Sequence, residues 1–143
     1  MRLVGLGDSV VAGVGAGHME AALVARTAQR LSQRLDCAVS WDARGRVGAR
    51  VRDVLAWMPR EPAEFVLVCA GINDVTAPAS LARWRADLAS VLNALARLQP
   101  RPAVALVGLP PLGSFPLLPA PLRAVLGARA RAFDDVARDL ARS

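Results

Sequence analysis

Two hydrophobic periods alternate along the chain. Residues 2–7 (RLVGLG) are a short apolar run that reads as a buried strand. Residues 64–71 (EFVLVCAG) form a continuous β-branched and apolar run bounded by glycine, the clearest strand of the chain. Residues 103–109 (AVALVGL) repeat that pattern, and residues 37–43 (CAVSWDA) alternate as a half-buried strand does. Helical spacing fills the intervals. Residues 19–35 place Leu23, Ala28, Leu31 and Leu35 along one face, and residues 48–58 read as a short helix stopped by Pro59. Residues 80–98 carry Leu81, Trp84, Leu88, Val91, Leu92, Leu95 and Leu98 at steps of three and four. Pro119 and Pro121 suit the opening of a last helix with Leu122, Leu126, Phe133, Val136 and Leu140 on one side.

Strands that alternate with helices predict an α/β fold, a parallel sheet between two helical layers. The expected form is a flavodoxin-like three-layer sandwich with strand order 2-1-3-4. The 143 residues make one domain, 1–143, with no repeat and no linker. In such a sheet, ligands meet the loops at the carboxyl ends of the strands. Three polar segments fall there: Asp8-Ser9, RGRVG at 44–48, and GIND at 71–74.

Composition adds exclusions. Apolar residues make up 54% of the chain, which argues against disorder. No apolar run approaches the ~20 residues that span a bilayer. Strand-like residues begin at Arg2 with no leader pattern before them, so the expected location is the cytoplasm. The net charge of +6 comes entirely from arginine. The arginines are spread along the chain and aromatics are only 4%, so no nucleic-acid partner is expected. Cys37 and Cys69 form no metal pattern and read as buried, reduced thiols, two strand spacings apart and too far for a disulfide. Neither a metal nor a cofactor is expected.

Five glycines surround Ser9 (Gly5, Gly7, Gly13, Gly15 and Gly17), which raises a choice between phosphate binding and nucleophile presentation. A P-loop needs a lysine, and the chain has none; a dinucleotide fingerprint needs a third glycine where Val10 stands. A serine on a sharp turn at a strand's carboxyl end, by contrast, exposes its hydroxyl beside the next helix. Ester cleavage by such a serine needs oxyanion donors about 3 Å from the developing charge. Backbone N–H groups at Ser9 and at a neighbouring glycine, with the Asn73 side chain, can supply them.

Gly7-Asp8-Ser9 with its glycine-rich continuation resembles block I of the GDSL, or SGNH, hydrolases. Gly71-Ile72-Asn73-Asp74 resembles their block III, and RGRVGARVRD between them resembles block II. The resemblance runs from Arg2 through the last helix. It implies an esterase, lipase or acylhydrolase acting on a small-molecule ester through an acyl-serine intermediate. Ser9 is then the catalytic nucleophile, and the oxyanion hole consists of the Ser9 N–H, the Gly48 N–H and the Asn73 side chain. Gly45 is the alternative glycine; Gly48 is preferred because it directly precedes the helical pattern. Asp8 and Asp74 read as loop organisers, Trp41 and Trp57 as core, and Asp134, Asp135 and Asp139 as solvated charges. Leu112 and Phe115, with Leu117 and Leu118, either line an acyl pocket or simply pack.

The family's last block, DxxH, supplies the base and its partner, and no such block occurs here. His18 is the single histidine and lacks that context. The chain therefore reads as a member cut short of its catalytic His and Asp, and of a fifth strand. Two expectations follow. The enzyme is weak or inactive as it stands, the alternative being a non-catalytic binding module that keeps the pocket. The fourth strand is an open edge suited to self-association.

Overall fold

The computed structural model describes residues 1–142. Four strands form one parallel sheet: β1 (Arg2–Gly7), β2 (Ser40–Gly45), β3 (Phe65–Cys69) and β4 (Ala103–Leu106). Their order is β2-β1-β3-β4, as the sequence pattern predicts. Gly7 stands opposite Gly45 on one side and Cys69 on the other, so β1, β2 and β3 end level.

The helices are α1 (Leu23–Leu35), α2 (Ile72–Thr76), α3 (Leu81–Ala96) and α4 (Ala120–Arg142). Alternation along the central strands divides the core in two. Leu3, Leu67 and Cys69 face α1, where Val11, Val24 and Ala28 complete a smaller cluster. Val4, Leu6, Val66 and Val68 face the opposite layer of α3 and α4. There Trp84 stacks on Phe133 with ring centres 5.4 Å apart, and its indole N–H donates to the Phe133 carbonyl at 2.9 Å. Ser80 caps α3 by accepting from the Arg83 N–H.

Several elements depart from the sequence reading. β2 begins at Ser40, because α1 ends on Asp36 in a left-handed conformation (φ 50°) and residues after it make the turn. Cys37 therefore lies exposed in that turn, not buried in a strand, while Cys69 is buried as expected. Trp41 is 36% exposed on the edge strand, not a core residue. Residues 51–57 form a 3-10 helix. Its three-residue period puts Val51 and Val54 on one face, and both are fully buried. The five-residue α2 has no periodic signal of its own and was not anticipated. Among the described residues, no helix is long and apolar enough to cross a membrane.

The two cysteines report this burial directly. Dithionitrobenzoate should titrate one thiol, Cys37, in the folded chain and both after denaturation. Two fast-reacting thiols in the native state would contradict the placement of Cys69 under α1.

Candidate functional site

The site begins where β1 ends. A Cβ on Gly7 would lie 1.9 Å from the Cys69 carbonyl oxygen, so only glycine permits the approach of β3 at this point. The chain then turns sharply. Asp8 N–H donates to the Cys69 carbonyl at 3.0 Å, and Ala12 N–H closes onto the Asp8 carbonyl at 3.0 Å. The Asp8 carboxylate accepts from Val10 N–H at 3.0 Å, bracing the turn from inside. Val11 anchors it in the core. Ser9 is thereby half-buried between a fixed Asp8 and an exposed Val10. Its carbonyl accepts from Val14 N–H, and its hydroxyl bonds to none of the described residues.

β2 approaches the same turn from the other side. A Cβ on Gly45 would meet the Ala12 nitrogen at 2.5 Å and the Asp8 carbonyl oxygen at 2.7 Å. Arg46 N–H donates to the Gly7 carbonyl at 3.2 Å. Successive N–H groups along a strand point to opposite sides, so the Gly45 N–H faces away from β1. Gly48 lies beyond the strand, exposed, with a positive φ of 77° and open space where a side chain would stand.

β3 delivers the third segment. Gly71 has φ 132°, and a Cβ there would lie 2.8 Å from both Trp84 and Leu109. The chain enters α2 immediately. Two side chains of α2 then reach across to the stretch after Gly48. Asn73 Nδ2 donates to the Ala49 carbonyl at 2.9 Å, and Asp74 Oδ2 accepts from Val51 N–H at 3.0 Å. Ser9 and Asn73 thus stand after the carboxyl ends of adjacent strands, with the 46–51 segment tied to both.

The electrostatics follow from burial. Asp8 and Asp74 are each 2% exposed, as befits loop organisers. Desolvation raises the carboxyl pKa of Asp8, against the opposing effect of backbone N–H donors. Desolvation likewise raises that of Asp74, partly offset by the Val51 N–H and by Arg50. Burial, with the Asp8 charge adding to it, pushes the Cys69 thiol up to about 12.

The other candidates lie elsewhere. His18 is exposed, and its Nδ1 sits 3.3 Å from Glu20 Oε2. It lines an open cavity of about 680 Å³ with Glu20, Arg26, Gln29 and Trp41, not with Ser9. Leu112 belongs to the larger core cluster, whereas Phe115 is 46% exposed. Asp134 is not a solvated charge: it accepts from Leu109 N–H at 3.0 Å and from Arg138 at 2.8 Å. Desolvation works against its charge, yet these two donors hold its carboxyl below the usual value. No group of three or more potential metal ligands occurs among the described residues. Sequence reasoning also passed over Arg129 of α4, whose guanidinium contacts the backbone after Asn73; no motif marks it.

Comparison with known proteins agrees with this architecture. The model of the GDSL-like Lipase/Acylhydrolase family matches residues 6–143. Among solved structures, the SGNH-hydrolase family esterase AlinE4 superposes with a TM-score of 0.75 at 24% identity, over 99% of this chain and 70% of its own. LAE5, an alpha/beta hydrolase enzyme from the metagenome of Lake Arreo, Spain, gives 0.71 at 21% identity, over 99% and 72%. The acetylxylan esterase Axe2 from Geobacillus stearothermophilus gives 0.66 at 18% identity, over 97% and 72%. A search of the curated proteins found no match.

Two expected outcomes test the geometry. Gly45→Ala forces a methyl group into the backbone of the Ser9 turn and should cost on the order of 1–3 kcal/mol, read as a lowered melting temperature. Asp74 binds its proton more tightly in the folded chain than in the unfolded one. Between its ordinary 3.8 and its raised native value, its contribution to stability therefore falls as pH rises. Asp74→Asn keeps an acceptor for Val51 N–H and should remove that share of the slope in a melting series across pH. Asp74→Ala removes the same slope but also leaves the N–H unpaired, and should destabilise by about 1–3 kcal/mol.

Proposed function

The chain belongs to the GDSL-like lipase/acylhydrolase family, and on that premise we propose that Ser9 is the nucleophile of a serine ester hydrolase. The observation that carries this reading is the Asn73 amide. One of its two protons is committed to the Ala49 carbonyl. The other remains for an oxyanion, in the same amide plane and with its direction fixed by the first. The exposed, left-handed Gly48 immediately before Ala49 is the favoured backbone donor. Gly45 is disfavoured, because its N–H faces away from β1. The Ser9 N–H completes the set.

In the first step, Ser9 Oγ forms a bond to the acyl carbon. The carbonyl electrons move onto oxygen, where the three donors receive the charge. Collapse breaks the bond to the alcohol oxygen, which leaves with the proton that Ser9 gave up. Water then adds to the acyl-serine, and the carboxylic acid departs as Ser9 regains its proton.

Both steps need a group that takes and returns that proton within hydrogen-bond reach of Ser9. His18 pairs with Glu20 and makes no bond to Ser9. Among the described residues, no histidine bonds to the proposed nucleophile. The same fact favours a second reading, a binding module that retains the pocket.

Hydrolysis of p-nitrophenyl acetate by the 143-residue chain should be barely above the buffer rate. Adding a family-like tail that carries DxxH should raise it by several orders of magnitude, because an isolated nucleophile without its histidine loses most of its catalysis. Ser9→Ala should abolish the gain. No gain from the tail would favour the binding module. Robust Ser9-dependent turnover by the chain alone would reveal an unassigned base, with His18→Ala the first variant to make.

A further inference from the structure

We infer that Arg129, on α4, is a positioning residue for the oxyanion site: it clamps the backbone that aims the Asn73 side chain. This inference rests on the reading of Asn73 as an oxyanion donor.

The need for a clamp follows from the length of α2. A helix of five residues has more end than middle, and its last carbonyls lack partners of their own. Nothing intrinsic holds so short a helix in one orientation. Its entry is through Gly71, which has no side chain to limit rotation. Yet Asn73 must point its second amide proton at one spot, because a displacement of about 1 Å removes most of an oxyanion donor's benefit.

Val75, buried in the larger core, seats one side of α2, and Arg129 adds a polar restraint at its C-terminal end. Its Nε donates to the Val75 carbonyl at 2.6 Å. Its Nη2 reaches the Ala77 carbonyl at 2.9 Å, the Asp74 carbonyl at 3.4 Å and the Ala79 carbonyl. One planar cation thereby gathers four carbonyls from the C-terminal end of α2 and the turn into α3. A positive charge is favoured at a helix C-terminus. The guanidinium is itself held, 4.7 Å from the centre of the Phe133 ring, and that ring is locked against Trp84. Asn73 and Asp74 fasten the other side of α2 to Ala49 and Val51. α2 is thus gripped from two sides, with Asn73 on the side facing the glycine segment.

The site's precision therefore depends on the larger core through one side chain. Lysine can replace it only in part: an ammonium is a point donor and cannot span the same carbonyls in one plane.

The test compares Arg129→Ala and Arg129→Lys with the parent 143-residue chain. The first readout needs no activity. Amide hydrogen exchange across residues 71–79 should accelerate at least tenfold in Arg129→Ala, and the Asn73 side-chain amide resonances should shift. Exchange in residues 84–95 of α3 should stay unchanged, which separates a local release from general unfolding. The second readout is formation of acetyl-Ser9 from p-nitrophenyl acetate, followed by intact mass. Its maximal rate should fall about tenfold with half-saturation within twofold, and added ethylguanidine should restore part of the loss in Arg129→Ala. Arg129→Lys should fold as the parent does and show an intermediate rate. Unchanged exchange in both variants overturns the clamp. Accelerated exchange with an unchanged acylation rate overturns its positioning role. Failure to acetylate at Ser9 even in the chain extended with the DxxH tail overturns the hydrolase reading, and the positioning role with it; the exchange data still decide whether Arg129 holds α2.

Discussion

Three strands of this protein end against one another with no side chain between them, and the candidate site exists because of that contact. Gly7 lies against the Cys69 carbonyl, and Gly45 lies against the backbone of Asp8 and Ala12. Each approach is closer than any Cβ would allow. The result is a turn whose backbone is fixed from both flanks before Ser9 is placed. Asp8 completes the restraint by folding its carboxylate back onto Val10 N–H. The cost is a buried carboxyl group held at a raised pKa. A nucleophile on such a turn needs no reorganisation to meet a substrate, the condition under which fixed donors contribute most.

The second restraint is a chain of contacts between layers. Trp84 bonds and stacks with Phe133, Phe133 carries Arg129, Arg129 gathers the backbone after Asn73, and Asn73 joins Ala49. Every link but the one from Phe133 to Arg129, which lies within α4, crosses between elements far apart in sequence. The residues around the site are therefore coupled to the packing of α3 against α4. Phe133 lies far from Asn73 in sequence, yet it touches the arginine that binds the backbone after it.

The sheet was legible because its central strands are buried on both faces and read as unbroken apolar runs. The helices α3 and α4 were legible because each lays one apolar face on that sheet. The edge strand was less so. β2 lies at the sheet's edge with its side chains only partly buried, its pattern is weak, and Cys37 and Trp41 were assigned to an interior they do not occupy. The segment at 51–57 was recognisable as helical, but its narrower winding comes from having to bury Val51 and Val54 together. Ser9, Gly48 and Asn73 stood out through motif and spacing. Arg129 did not, since one arginine among many carries no local signature, and its partners are carbonyls, which any residue provides. Asp134 escaped for the same reason: its acceptor role depends on Leu109 N–H, which only the tertiary fold brings near.

The bond from Asn73 to Ala49 has a chemical implication that reaches past geometry. A primary amide is the one side-chain group of this size that offers two protons about 120° apart on a single atom. Exchange of its nitrogen for oxygen through a change of codon leaves shape and volume almost untouched. It nevertheless replaces both donors with lone pairs. The Ala49 carbonyl would then face an anion at hydrogen-bond distance, and a developing oxyanion would meet a second negative charge. On the proposed reading of Asn73, one atom thus separates a site that would attract the transition state from one that would repel it.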